Sequence, residues 1–251
     1  VRLPILSRHE RAHLKPAPHP YTLPTLTQHA PPAEVASRSL MIEREIIATA
    51  ERHLSRRCKH MKSLIRTHGP STLGARRRDP FHVLTSSIIG QQLSSKAADT
   101  IQARVHALVG AKARLTPAQL LSVTPEQLRS CGLSNAKAKW LRAASEKVLT
   151  GELDFKQLAR ADDATALKTL DDLPGVGLWT AQMFMIFALD RLDIFSMGDV
   201  GLRNGVNRLF NQGARLDEPA TLEIVQRWAP YRSLASWYLW RVTDSDLNAW
   251  T

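Results

Sequence analysis

From Met41 onward, apolar residues recur every three or four positions, and no stretch alternates in the two-residue rhythm of a strand. This succession of helical segments limits the fold more than any other feature, and it places the chain in the all-α class. The segment MIEREIIATAERHLSRRCKHMKSLIRTHG reads as one amphipathic helix, ended by Gly69 and Pro70. FHVLTSSIIGQQLSSKAADTIQARVHALVG reads as a second helical stretch, interrupted by polar residues near its middle. Thr124 opens TPEQLRSCG and Ser134 opens SNAKAKWLRAASEKVLTG, each where an N-cap belongs, with glycines as C-terminal stops. DDATALKTL, LWTAQMFMIFALD, DVGLRNGVNRLF, DEPATLEIVQRWA and YRSLASWYLWRV complete the helical series.

The first 40 residues have a different character. They hold seven of the 14 prolines and four histidines, with almost no periodic apolar pattern. Residues 1–40 therefore read as disordered or as an extension lacking its own core, and 41–251 as the folded domain. The extension lacks the continuous apolar stretch of a secretory signal and is too proline-rich for an amphipathic transit peptide. Met41 is the first methionine, so the segment also fits an upstream start choice. No apolar run approaches the roughly 18 residues of a membrane span, so a soluble protein with no membrane partner is expected. The two cysteines, Cys58 and Cys131, exclude a disulfide framework and a four-cysteine cluster, and no metal site is expected. A reduced compartment fits: bacterial cytoplasm or eukaryotic nucleus.

The net charge is +11, which points to a polyanionic partner such as nucleic acid. Residues 1–80 hold 15 Lys/Arg against 6 Asp/Glu, whereas 81–251 hold 19 against 17. The basic excess thus lies mostly outside the region that carries the motifs. Charge supports nucleic-acid binding without locating it.

Within that region, residues 173–181 read LPGVGLWTA, with Pro174, Gly175 and Gly177 directly before a helical run. Taken alone, this is first a tight turn between two helices. Its second possibility is a turn whose bare amides meet an anion at the start of the next helix. Backbone amides bind phosphate without sequence preference, so such an element anchors DNA and does not read it.

Three stretches, SSIIGQQLSSKAA at 86–98, LPGVGLWTAQMFMIFAL at 173–189 and DIFSMGDVGLRNG at 193–205, resemble the helix-hairpin-helix DNA glycosylases of the 3-methyladenine DNA glycosylase II family. WAPYRSLASWYLWR at 228–241 adds a weaker fourth, and together they cover most of residues 80–245 in the family's order. The resemblance implies two helical subdomains flanking a base-binding cleft, with the hairpin at about 163–190. Nothing before residue 80 looks like strands, so the chain is similar to the shorter members that lack an N-terminal β-domain.

The resemblance also assigns residues. Asp199, 20 positions after Trp179, falls where the family keeps its catalytic aspartate, although aspartate before VGLRNG is also a favoured helix cap. Asp190 and Asp193 rank below it. Trp179 stands where members that cut the DNA backbone have a Schiff-base lysine, which implies base removal without strand cleavage. Trp179 and Trp240 are the expected pocket walls, since a tryptophan face attracts a cationic alkylated purine, and Met183 falls where some relatives have a pocket tyrosine. Against this, tryptophan on a helix is usually core. Gln92 aligns with the residue that fills the gap left by an extruded base, with Leu93 beside it. Gly175, Gly177 and Thr180 complete the expected DNA contacts.

The implied activity is hydrolytic excision of alkylated purines, of the 3-methyladenine and 7-methylguanine type, from double-stranded DNA by a monomer. No cofactor is expected beyond a possible monovalent cation on the hairpin carbonyls. The alternatives are a glycosylase for a deaminated or oxidised base and a non-catalytic helix-hairpin-helix DNA-binding module.

Overall fold

A computed structural model describes residues 44–75, 78–111 and 114–243. The expectation for residues 1–40 lies outside the described residues. Among those described there are helices and no strand. The series begins with α1 (Arg44–Arg57) and α2 (Lys59–His68), followed by α3 (Pro80–Gly90) and α4 (Ser95–Leu108). Next come α5 (Pro117–Leu121), α6 (Pro125–Ser130), α7 (Asn135–Leu149), α8 (Phe155–Arg160) and α9 (Asp163–Asp171). The last four are α10 (Leu178–Phe187), α11 (Val200–Phe210), α12 (Glu218–Gln226) and α13 (Arg232–Val242).

Side-chain capping explains most of these boundaries. Thr124 accepts a hydrogen bond from the Gln127 amide, and Ser134 accepts one from Lys137, as their positions in the sequence imply. Asp162 does the same for α9 through the Thr165 amide. Two expectations change. The first long helix is two, because Cys58 leaves helical geometry (φ −149°, ψ 116°) and its thiol caps α2 at the Met61 amide. The break lets α2 fold back on α1 and both pack on α13, burying Leu54 and Met61 together. Periodicity alone ran through the break, since both halves carry the same apolar face. The short helices α5 and α8 carry no periodic signature that the sequence could show, each being too short for one.

The packing forms two groups. Helices α3 to α10 include the paired contacts α3–α4, α3–α7, α5–α7, α6–α7, α3–α10 and α9–α10. Helices α1, α2, α11 and α13 pack on one another. Asp199, the N-cap of α11, stands where the chain passes from the first group to the second. Phe184 on α10 and Tyr238 on α13 are fully buried anchors of the two groups.

Candidate active site

The hairpin consists of α9, a turn over 172–177 and α10. In the turn the Val176 amide donates to the Leu173 carbonyl at 3.0 Å, and Gly175 takes φ +79°. A β-carbon there would stand 2.1 Å from the Trp140 ring on α7. Glycine is thus required twice, by backbone conformation and by the indole beneath it. Gly177 is different: its φ is −91°, it is exposed, and open space surrounds its missing side chain. It is the N-cap of α10 and, being glycine, brings no side-chain acceptor to the first-turn amides that follow it. Those amides and the positive helix end make an anion-binding terminus.

Thr180 and Gly175 have inward partners. Gln91 Nε2 donates to the Gly175 carbonyl at 2.7 Å and to Thr180 Oγ1 at 3.1 Å. Thr180 is 3 % exposed and its hydroxyl accepts from Gln91, so its side chain braces the hairpin from within and is not offered to DNA. Nothing in the sequence marks Gln91 apart from Gln92 beside it; its partners lie 84 and 89 residues away.

Asp199 caps α11. It is 9 % exposed, and three N–H donors meet its two oxygens. The Leu202 amide donates to Oδ1 at 2.8 Å, which is the helix cap, and Trp240 Nε1 donates to the same oxygen at 3.2 Å. Trp179 Nε1 donates to Oδ2 at 2.9 Å. The cap and the expected catalytic position therefore coincide, and the two tryptophans clamp the carboxylate in one orientation.

The tryptophans then divide in role. Trp179 is half-buried and donates its indole N–H to Asp199. Trp240 is 5 % exposed, stacks on Phe187 (centroids 5.6 Å apart, planes at 28°) and serves chiefly to hold Asp199. The Arg78 guanidinium lies 5.0 Å from the Phe187 ring centroid and extends this stack. Met183 is 1 % exposed and belongs to the core, which corrects its expected place in the base pocket. Helix α10 is apolar all round, so its sequence could not show which residues face the cleft.

The competing aspartates are otherwise engaged. Asp193 receives Arg232 Nε at 2.7 Å and Nη2 at 2.9 Å, together with the Arg232 amide at 3.2 Å. Burial pushes the Asp190 carboxyl up to about 6, against the opposing pull of Arg78. Gln92 and Leu93 sit in the turn between α3 and α4, both exposed, Leu93 by 38 %.

Residues 85–230 match the HhH-GPD superfamily base excision DNA repair protein family. DNA-3-methyladenine glycosylase 1 of Schizosaccharomyces pombe is 30% identical over 208 residues, covering 80% of this chain and 91% of that protein. The crystal structure of a DNA-3-methyladenine glycosidase from Bacillus halodurans is 37% identical, with a TM-score of 0.67 over 78% of this chain and 89% of that one. The Schizosaccharomyces pombe 3-methyladenine DNA glycosylase in complex with abasic DNA aligns with a TM-score of 0.68 at 28% identity, over 81% of this chain and 99% of that one.

Proposed function

Because the chain belongs to the HhH-GPD superfamily of base excision DNA repair proteins, we propose that it is a DNA glycosylase that extrudes alkylated purines of the 3-methyladenine and 7-methylguanine type and removes them by hydrolysis. The observation that carries this reading is the Asp199 carboxylate, held by the indole N–H groups of Trp179 and Trp240 at the rim of the hairpin.

Breaking the glycosidic bond builds positive charge on the deoxyribose. A carboxylate already fixed by hydrogen bonds stabilises that charge without reorganising, and it can orient the water that attacks the sugar. The α10 amides beyond Gly177 grip a backbone phosphate, which binds any duplex and brings the strand to Asp199. Extrusion costs a few kcal/mol, least for a damaged pair, and the exposed Gln92–Leu93 turn fills the vacated space. A cationic base meeting the half-buried Trp179 indole would gain an attraction of up to ~2 kcal/mol once desolvated.

Trp179 has no amine to form an imine with the sugar, so the reading ends at an intact abasic strand. A monovalent cation on the hairpin would have to share the Gly175 carbonyl with Gln91, and no step of the reading needs one. The test is incubation with methylated duplex DNA, followed by chromatography of released bases and denaturing electrophoresis of the strand. Free 3-methyladenine with strand breaks only after alkali is the expected result. No base release from any alkylated, deaminated or oxidised duplex would leave a binding module instead.

A further inference from the structure

The turn that carries Gln92 and Leu93 is strained at its tip and anchored at its base. Gln92 has φ +58°, a left-handed conformation that a non-glycine residue holds only when its surroundings enforce it. Two anchors do so. Lys137 Nζ, on α7, donates to the carbonyls of Ile89 at 2.9 Å and Gln91 at 2.6 Å, where α3 ends and its carbonyls lack helical partners. Burial lowers the Lys137 pKa, and these carbonyls give the half-desolvated ammonium its partners. The second anchor is the Gln91 side chain, which reaches across 84 residues of sequence to the Gly175 carbonyl and across 89 to the Thr180 hydroxyl of the hairpin. A backbone tie also closes the turn, from the Leu93 amide to the Gly90 carbonyl at 3.1 Å. Gln91 is thus the direct hydrogen-bonded link between the turn and the hairpin among the described residues.

Resting on the glycosylase reading above, we propose that Gln91 is a positioning residue that couples the two DNA-engaging elements. By fixing the strained tip relative to the hairpin, it makes phosphate grip and gap filling one event. Gln91 touches neither the reacting sugar nor Asp199. Its effect belongs to lesion recognition, where it sets how far the Gln92–Leu93 tip stands from a phosphate held at Gly177.

The experiment uses the full chain, a duplex containing a tetrahydrofuran abasic analogue, and 2-aminopurine beside that site to report unstacking. Gln91→Met keeps side-chain length and removes both donors. It should melt close to wild type and bind undamaged duplex equally well. Its preference for the abasic duplex should fall by about tenfold, the scale of a lost hydrogen-bond pair that leaves a carbonyl unpaired. The 2-aminopurine signal should fall with it. In a Gln92→Ala/Leu93→Ala background, where there is no wedge to position, the same substitution should add almost nothing. Retention of the preference and the signal, or a full additional loss in the wedge-less background, would overturn the proposal. If Gln91→Met fails to fold, Thr180→Val removes only the acceptor at 3.1 Å. A smaller loss of preference is then expected, and an unchanged preference overturns the coupling. None of these readouts requires base release, so a wild type that excises nothing would sink the glycosylase reading alone.

Discussion

The indole nitrogen of Trp240 lies 3.2 Å from Oδ1 of Asp199, the same oxygen that caps α11 through the Leu202 amide at 2.8 Å. One carboxylate oxygen is therefore shared between holding a helix and holding the orientation that the chemistry needs. The other oxygen belongs to Trp179, 2.9 Å away.

Trp240→Phe should separate the hydrogen bond from the packing. The ring can still stack on Phe187, but the donor to Asp199 is lost. A hydrogen bond to a charged group contributes about 1.5–3 kcal/mol, so single-turnover base release should slow by roughly 10- to 100-fold. Affinity for undamaged duplex should stay near wild type. A Phe variant that excises at the original rate would reduce Trp240 to a core residue.

Asp199→Asn should keep DNA binding, or tighten it by removing a negative charge near phosphates. Base release should fall on the order of a hundredfold or more, the scale for one preorganised electrostatic group. Undiminished release from methylated DNA would remove Asp199 from the reaction.

The two hairpin glycines should respond in opposite ways. Gly175→Ala meets both φ +79° and the Trp140 ring, so thermal denaturation should show a large loss of stability. Gly177→Ser has open space and a common φ, and serine is a favoured N-cap, so the fold should be as stable or more so. Its hydroxyl would then occupy an α10 amide that phosphate needs. Affinity for damaged and undamaged duplex should fall together. A loss confined to damaged DNA would mean that the hairpin senses the lesion.

Asp190 should make the protein less stable as pH rises. Its carboxyl is pushed from 3.8 up to about 6 by burial, so between these values the folded state binds more proton than the unfolded one. The stabilisation is present below about pH 4 and is lost as pH rises through 6. Asp190→Asn keeps a residue tolerant of φ +54° and removes the titration. Leaving Arg78 without its counter-charge adds an offset, but the melting temperature of wild type relative to the Asn variant should fall steadily from pH 4 to pH 7. A flat difference would show that Asp190 does not titrate in this range.

Several determinants were written in short windows of sequence. The helical class, the caps at Thr124, Ser134 and Asp199, and the Pro174–Gly177 turn all follow from spacing and residue chemistry that act within about four residues. From the residues alone Asp199 was legible only as a cap of the helix beginning VGLRNG; its candidate catalytic role came from the family resemblance of residues 193–205. Tertiary packing decided the rest. It brought Trp240 to Asp199 across 41 residues, Gln91 to Gly175 across 84, and Trp140 beneath the hairpin glycine. It also turned Met183 and Thr180 inward and left Trp179 half-buried, along a helix whose apolar composition marks no face. Local sequence sets which conformation each segment prefers. Which side chains meet depends on how whole helices cross, and that is settled only when every apolar surface is buried at once.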